Sequence, residues 1–178
     1  MRAACGFSSR RERLFFALWP DDGLCQRLAD QARASQGIRL PASGYHMTLA
    51  FAGEVDASGR RALQEGAARV SVGAFRCVLD QVEYLGSGTV EALVSAHPPP
   101  ALLALADRLA ALVAASTGRT RGGPFRPHVS LARGSARRSP APLAWPISWV
   151  VQAYVLCRSQ GATGCYDVLE RWPLRTEG

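Results

Sequence analysis

The stretch HMTLAF, His46 to Phe51, returns further along the chain as HVSLAR, His128 to Arg133. The chain has three histidines, and two of them open these matching segments. In the first segment Tyr45, Met47, Leu49 and Phe51 alternate with His46, Thr48 and Ala50, which reads as a strand. Residues i and i+2 of a strand share a face and lie roughly 6–7 Å apart. His46 with Thr48, and His128 with Ser130, can therefore each address one ligand. If the two segments face one another, two imidazoles flank a pocket floored by two hydroxyls. That set suits in-line displacement at phosphorus. One imidazole takes a proton from the attacking oxygen and the other gives one to the departing oxygen, both near neutral pH. The hydroxyls donate to the non-bridging oxygens as charge builds there. Spacing alone leaves the acid and base roles of the two histidines exchangeable.

The elements around each copy support a duplication. Arg13 to Trp19 is a short aromatic strand closed by Pro20, and Asp21-Asp22 starts a helix that runs to about Gln36 on Leu24, Leu28 and Ala32. The motif strand follows, interrupted at Gly53, and then a helix from about Ser58 to Val70. Phe75 to Leu79 reads as a strand. Val82 to Leu85 and Val90 to Val94 pair across Gly86-Ser87-Gly88. From Ala101 to Ala115 the stripe Leu102, Leu105, Leu109 and Leu112 marks a helix. Phe125 to Arg133 is the second motif strand, and Ile147 to Leu156 and Cys165 to Arg171 are the last two. Each motif strand thus follows a helix, which predicts an α+β fold whose halves pack about a pseudo-twofold axis.

With 48% apolar and 20% charged residues the chain has the balance of a globular protein, and its length fits one domain over residues 1–178. The basic start is followed by only six apolar residues, LFFALW, and then Pro20-Asp21-Asp22. It reads as a flexible leader over residues 1–12 rather than a signal peptide, and no apolar run suggests a membrane span. Five scattered cysteines without a C-x-x-C point to free thiols in a reducing cytoplasm. All 21 basic residues are arginine, and the net charge is +7. Arg119, Arg121, Arg126, Arg133, Arg137 and Arg138 surround the second copy with no acid among them, a field suited to an anionic ligand. Compositional bias is the alternative reading of the arginine excess. A metal site would need a third ligand. His97 is the one histidine left, and it precedes three prolines. A serine nucleophile at Ser130 lacks a G-x-S-x-G elbow. The bland alternative makes each histidine a satisfied core residue, and it weakens when both copies are taken together.

The paired segments, with RLFFALWP (Arg13 to Pro20), HMTLAFAGEV (His46 to Val55), FRPHVSLAR (Phe125 to Arg133) and GCYDVLERWPL (Gly164 to Leu174), resemble the two-histidine phosphoesterases, within them the LigT-like or ThpR-like RNA 2',3'-cyclic phosphodiesterases, once called 2'-5' RNA ligases. The resemblance implies a bilobal fold of antiparallel sheets with outer helices and a central cleft. It implies a monomer without metal or cofactor that opens RNA 2',3'-cyclic phosphate ends, such as those of tRNA fragments and not DNA, to 2'-phosphates. His128 would activate the water, His46 would protonate the leaving 3'-oxygen, and Thr48 and Ser130 would hold the phosphate. It also offers Phe51 and Arg133 to the nucleotide, although strict alternation places them on the wrong face unless the strand ends or bulges. Arg126 and Tyr45 flank the histidines as rim candidates for phosphate and base. Ser130 replaces a threonine common in the family, and the loop Ser159 to Gly164 is shorter than usual. Two rivals remain: the same chemistry on a small cyclic nucleotide or a 2'-5' linkage, and a non-catalytic RNA-binding protein. Joining of a 5'-hydroxyl to the cyclic end is expected as a minor activity.

Overall fold

A computed structural model describes residues 11–87, 89–136, 138–161 and 165–176. Most of the anticipated leader, residues 1–10, lies outside that set, as do Cys5, Gly88, Arg137 and Gly164. Glu12 does not belong to a leader: it opens the first strand and meets Arg60 and Arg158.

Two antiparallel sheets carry the molecule. The first has the order β3-β1-β8-β9, from β1 Glu12–Leu18, β3 Met47–Val55, β8 Ala153–Ser159 and β9 Tyr166–Pro173. The second has the order β2-β6-β5-β4-β7, from β2 Ile38–Arg39, β4 Phe75–Leu85, β5 Val90–Val94, β6 His128–Arg133 and β7 Ala141–Val151. Each motif strand pairs with the strand that precedes its helix, β3 with β1 and β6 with β5, which is the pseudo-twofold expected from the duplicated segments.

Three helices bind the halves together. In α1, Asp22–Ala32, the Asp21 carboxylate accepts from the Leu24 amide at 2.7 Å. In α2, Ala57–Ala67, Asp56 accepts from the Gly59 amide at 2.8 Å. These side chains satisfy amides that have no partner inside the first turn. The long α3, Pro100–Thr117, starts after Pro99 and stops at Gly118, whose φ of 70° suits glycine. The helix leading into one motif strand packs on the other lobe: α3 lies against β3 and α1 touches β6. A single apolar core consequently runs through both lobes, from Leu14 and Phe16 to Leu93, Leu131 and Trp149. By length and composition α3 could cross a membrane. Leu102, Leu105, Ala106, Leu109 and Val113 are buried instead, as in a core helix.

Several boundaries differ from expectation. The first helix ends at Ala32, not Gln36, and the second motif strand starts at His128 rather than Phe125. At Gly53 the pairing of β3 with β1 shifts register and leaves Ala52 extra, but the strand does not end there: with a φ of 76° at the glycine it continues to Val55. Phe75–Leu79 and Val82–Leu85 are one strand. Ile147 to Leu156 is two strands in different sheets, divided at Gln152. Continuous apolar sequence conceals such a crossing, since buried strands of either sheet read alike.

The short β2 pins the second motif strand through Gly37. A Cβ there would stand 2.4 Å from the Arg133 carbonyl oxygen and 2.8 Å from the Ser135 amide, both backbone atoms. Gly37→Ala is expected to destabilise by about 1–3 kcal/mol, the cost of overpacking. Each kcal/mol lowers Tm by about 2–4 °C at this chain length. An unchanged melting curve would show that β2 does not hold Arg133 in register.

Candidate active site

Both motif histidines are oriented by the backbone just ahead of them. His46 Nδ1 meets the Gly44 carbonyl at 2.8 Å, and His128 Nδ1 meets the Arg126 carbonyl at 2.8 Å. A carbonyl oxygen only accepts, so Nδ1 carries the hydrogen in both rings and Nε2 is the nitrogen left to exchange a proton. The turn Ala42–Gly44 delivers His46 just before β3, and Pro127 precedes His128 at the head of β6.

The two strands then repeat an irregularity. Ala17 pairs with Thr48 and Phe16 with Ala50, leaving Leu49 as an extra residue. Ala92 pairs with Ser130 and Glu91 with Ala132, leaving Leu131 extra. Each motif therefore bulges at its leucine, which is buried in the core. The extra residue reverses the alternation beyond it and brings the sixth residue, Phe51 or Arg133, round to the histidine face. His46, Thr48, Phe51, His128, Ser130 and Arg133 all line one cavity of about 520 Å³. No carboxylate lines it among the described residues.

A family model described as the 2'-5' RNA ligase superfamily matches residues 20–161. The RNA 2',3'-cyclic phosphodiesterase of Escherichia coli (strain K12) is 31% identical over 175 residues, covering 93% of this chain and 98% of that protein. The crystal structure of E. coli LigT in apo form is similar at a TM-score of 0.84 and 32% identity, covering 93% of this chain and 99% of that one. E. coli LigT complexed with 3'-AMP is similar at a TM-score of 0.84 and 30% identity, over 92% of this chain and 98% of that one. The chain belongs to the 2'-5' RNA ligase superfamily. Within it the likeness runs to the LigT-like two-histidine phosphoesterases, the branch that the opening and closing segments resemble.

In this member of the superfamily the two histidines have unlike surroundings. His46 is enclosed by aromatic rings: Trp19 stacks at 5.7 Å and 6°, Phe15 lies at 5.1 Å, and Tyr166 presents an edge at 4.8 Å. Burial holds its pKa below the ordinary 6.5, the Gly44 carbonyl opposes the shift, and the neighbouring His128 adds to it. Beneath His46 lies a small apolar layer of Phe15, Ala17, Val155 and Cys157, and burial pushes the Cys157 thiol up to about 12.

Two anticipated rim residues are elsewhere. Tyr45 is 2% exposed and belongs to the core, because alternation turns it away from His46. The Arg126 side chain pairs with Glu83 outside the cavity, and its contribution to the site is the carbonyl that holds His128. The arginine-rich segment divides in the same way. Arg121 pairs with Asp107 at 2.8 Å and donates to the Ala106 carbonyl, whereas Arg133 lines the cavity and Arg119 lies 5.1 Å above Phe51.

Sequence reasoning missed Arg13, Phe15, Trp19 and Tyr166. The first three alternate along RLFFALW and so share a face, but nothing in the segment says that this face meets His46. That follows from the pairing of Phe15 with Phe51 across β1 and β3. His97, the histidine outside the two motifs, does not line the cavity, and the described residues hold no group of three His, Cys, Asp or Glu side chains placed for a metal ion.

Proposed function

We propose that the protein hydrolyses the 2',3'-cyclic phosphate end of RNA to a 2'-phosphate, with the two histidines as acid and base. The observation that carries this reading is the shared cavity. Two imidazoles, each with Nδ1 tied to a carbonyl, and two hydroxyls meet in a space lined by arginine and free of carboxylates among the described residues. The family relationship supports it, since the E. coli relative is an RNA 2',3'-cyclic phosphodiesterase.

In the proposed reaction His128 Nε2 takes a proton from water as the oxygen attacks phosphorus. The bond from phosphorus to the 3'-oxygen breaks, and that oxygen takes a proton from His46 Nε2. Thr48 and Ser130 donate to the non-bridging oxygens. Burial disfavours the cationic form of His46 in the free protein. A bound phosphate anion beside the ring acts in the opposite direction and raises its pKa, so the substrate helps to supply the proton that its leaving oxygen takes. His128 is partly exposed, as is His46, so exposure alone does not divide the two roles.

Replacing the water with a 5'-hydroxyl gives a 2'-5' bond by the same exchange, and this ligation is proposed as a minor outcome. Both histidines come from one chain, which supports action as a monomer. The buried thiols of Cys77 and Cys157, outside any disulfide, fit the cytoplasm, where ends of cleaved tRNA are candidate substrates.

A short RNA with a 2',3'-cyclic phosphate end, incubated in a chelator, is expected to yield an end with a 2'-phosphate and a 3'-hydroxyl. A 3'-phosphate product, or no product, would contradict the proposal.

A further inference from the structure

A second hollow of about 680 Å³ adjoins the main cavity beside β1. The two share Arg13, Ser159 and Gly161 in their walls, and Arg13 is the charged one of the three. Arg13 pairs in register with Glu54 on one side and Ser159 on the other, and its guanidinium lies 4.8 Å above the Phe51 ring. Arg119 lies over the same ring. The arginines of this region differ in availability. Arg158 in the second hollow binds Glu12 and Asp167, whereas Arg13 makes no ion pair among the described residues.

We infer that the second hollow holds the nucleotide preceding the RNA terminus, and that Arg13 binds the phosphodiester joining it to the terminal nucleotide. This rests on the hydrolase reading above. With the cyclic phosphate between the histidines, the terminal nucleoside occupies the main cavity. Its 5'-oxygen is then the one covalent route onward, and a charged phosphate follows directly along that route. That phosphate has to leave through an opening of the cavity, and the opening beside β1 has an unpaired guanidinium at its boundary. Arginine presents a planar fork of donors suited to two phosphate oxygens. Past the boundary, Ser159 offers an uncharged hydrogen-bonding group to a ribose or base, and the rest of the lining mixes Arg11 and Arg158 with Glu12 and Glu54. The site therefore distinguishes an RNA end from a free cyclic mononucleotide through the link between its last two nucleotides.

The test compares three substrates: a nucleoside 2',3'-cyclic phosphate, a dinucleotide ending in the same group, and that dinucleotide with an uncharged methylphosphonate link. For the unaltered protein, kcat/KM on the phosphodiester dinucleotide is expected to exceed that on the methylphosphonate by about ten-fold or more, as for one charge-assisted hydrogen-bonded contact. In Arg13→Gln the ratio should fall to about one, and Arg13→Lys should restore part of it by retaining the charge. Because the readout is a ratio within each variant, a general loss of activity or stability does not imitate it. A ratio of one in the unaltered protein that still opens the mononucleotide, or a full ratio in Arg13→Gln, would overturn the inference and leave the hydrolase reading standing. Failure to open any of the three would count against the hydrolase reading itself.

Discussion

His46→Ala and His128→Ala are each expected to lower the turnover of cyclic-phosphate RNA by about 10²–10⁴-fold, the usual contribution of a positioned acid or base. Binding of the RNA should change far less, since Arg13, Arg119 and Arg133 remain at the cleft. The two losses should not multiply in the double variant, because acid and base act in one displacement. A 3'-sulfur substrate separates the roles, since a thiolate leaves without needing a proton. Its turnover should recover in His46→Ala and stay low in His128→Ala. Recovery in the opposite variant would exchange the two roles, and full activity in both alanine variants would end the acid–base account. Since the bound anion raises the pKa of His46, the alkaline limb should lie at higher pH for kcat, which reports the complex, than for kcat/KM, which reports the free protein.

Removal of the paired hydroxyls is the second large effect. Thr48 and Ser130 occupy equivalent places before the two leucine bulges, and both line the cavity. Each is placed to donate to a different non-bridging oxygen, where negative charge grows in the transition state. Thr48→Val and Ser130→Ala should each reduce kcat by about 10²–10³-fold, as for loss of one oxyanion donor, with a smaller change in KM. Phosphorothioate diastereomers give a sharper readout. Sulfur accepts hydrogen bonds poorly, so each variant should lose the rate penalty for sulfur at the one non-bridging position its hydroxyl served and keep the penalty at the other. Equal discrimination in both variants and in the unaltered protein would show that the hydroxyls do not touch the phosphate.

The meeting of His46, Thr48, His128 and Ser130 in one cavity was legible because they are polar residues recurring in an otherwise matching apolar setting. Their faces followed from the period of two. The bulges were not legible. A buried leucine looks the same whether it is paired or extra, so Phe51 and Arg133 could be joined to the site only through the register of β1 against β3 and of β5 against β6. The family resemblance suggested those two residues, and the paired strands supply the reason. Tyr45 and Arg126 illustrate the reverse error. Nearness in sequence to a motif histidine was read as nearness to the cavity, but Tyr45, one residue before His46, takes the opposite face, and Arg126, two residues before His128 and ahead of β6, turns its side chain to Glu83. The aromatic enclosure of His46 draws on β1 and β9, segments far apart in the chain, and no local pattern announces it.

The central claim is that two imidazoles from opposite lobes engage one phosphate. It is tested most directly by following both rings in the nitrogen NMR spectrum through a pH titration, with and without a nucleoside 2'-phosphate. In the free protein His46 should titrate below the ordinary 6.5, because burial disfavours its cation. On adding the nucleotide, the Nε2 signals of both His46 and His128 should shift together, saturate at one ligand per chain, and show the His46 pKa rising. Shifts that saturate separately, or a His46 pKa that does not respond to the anion, would contradict the account.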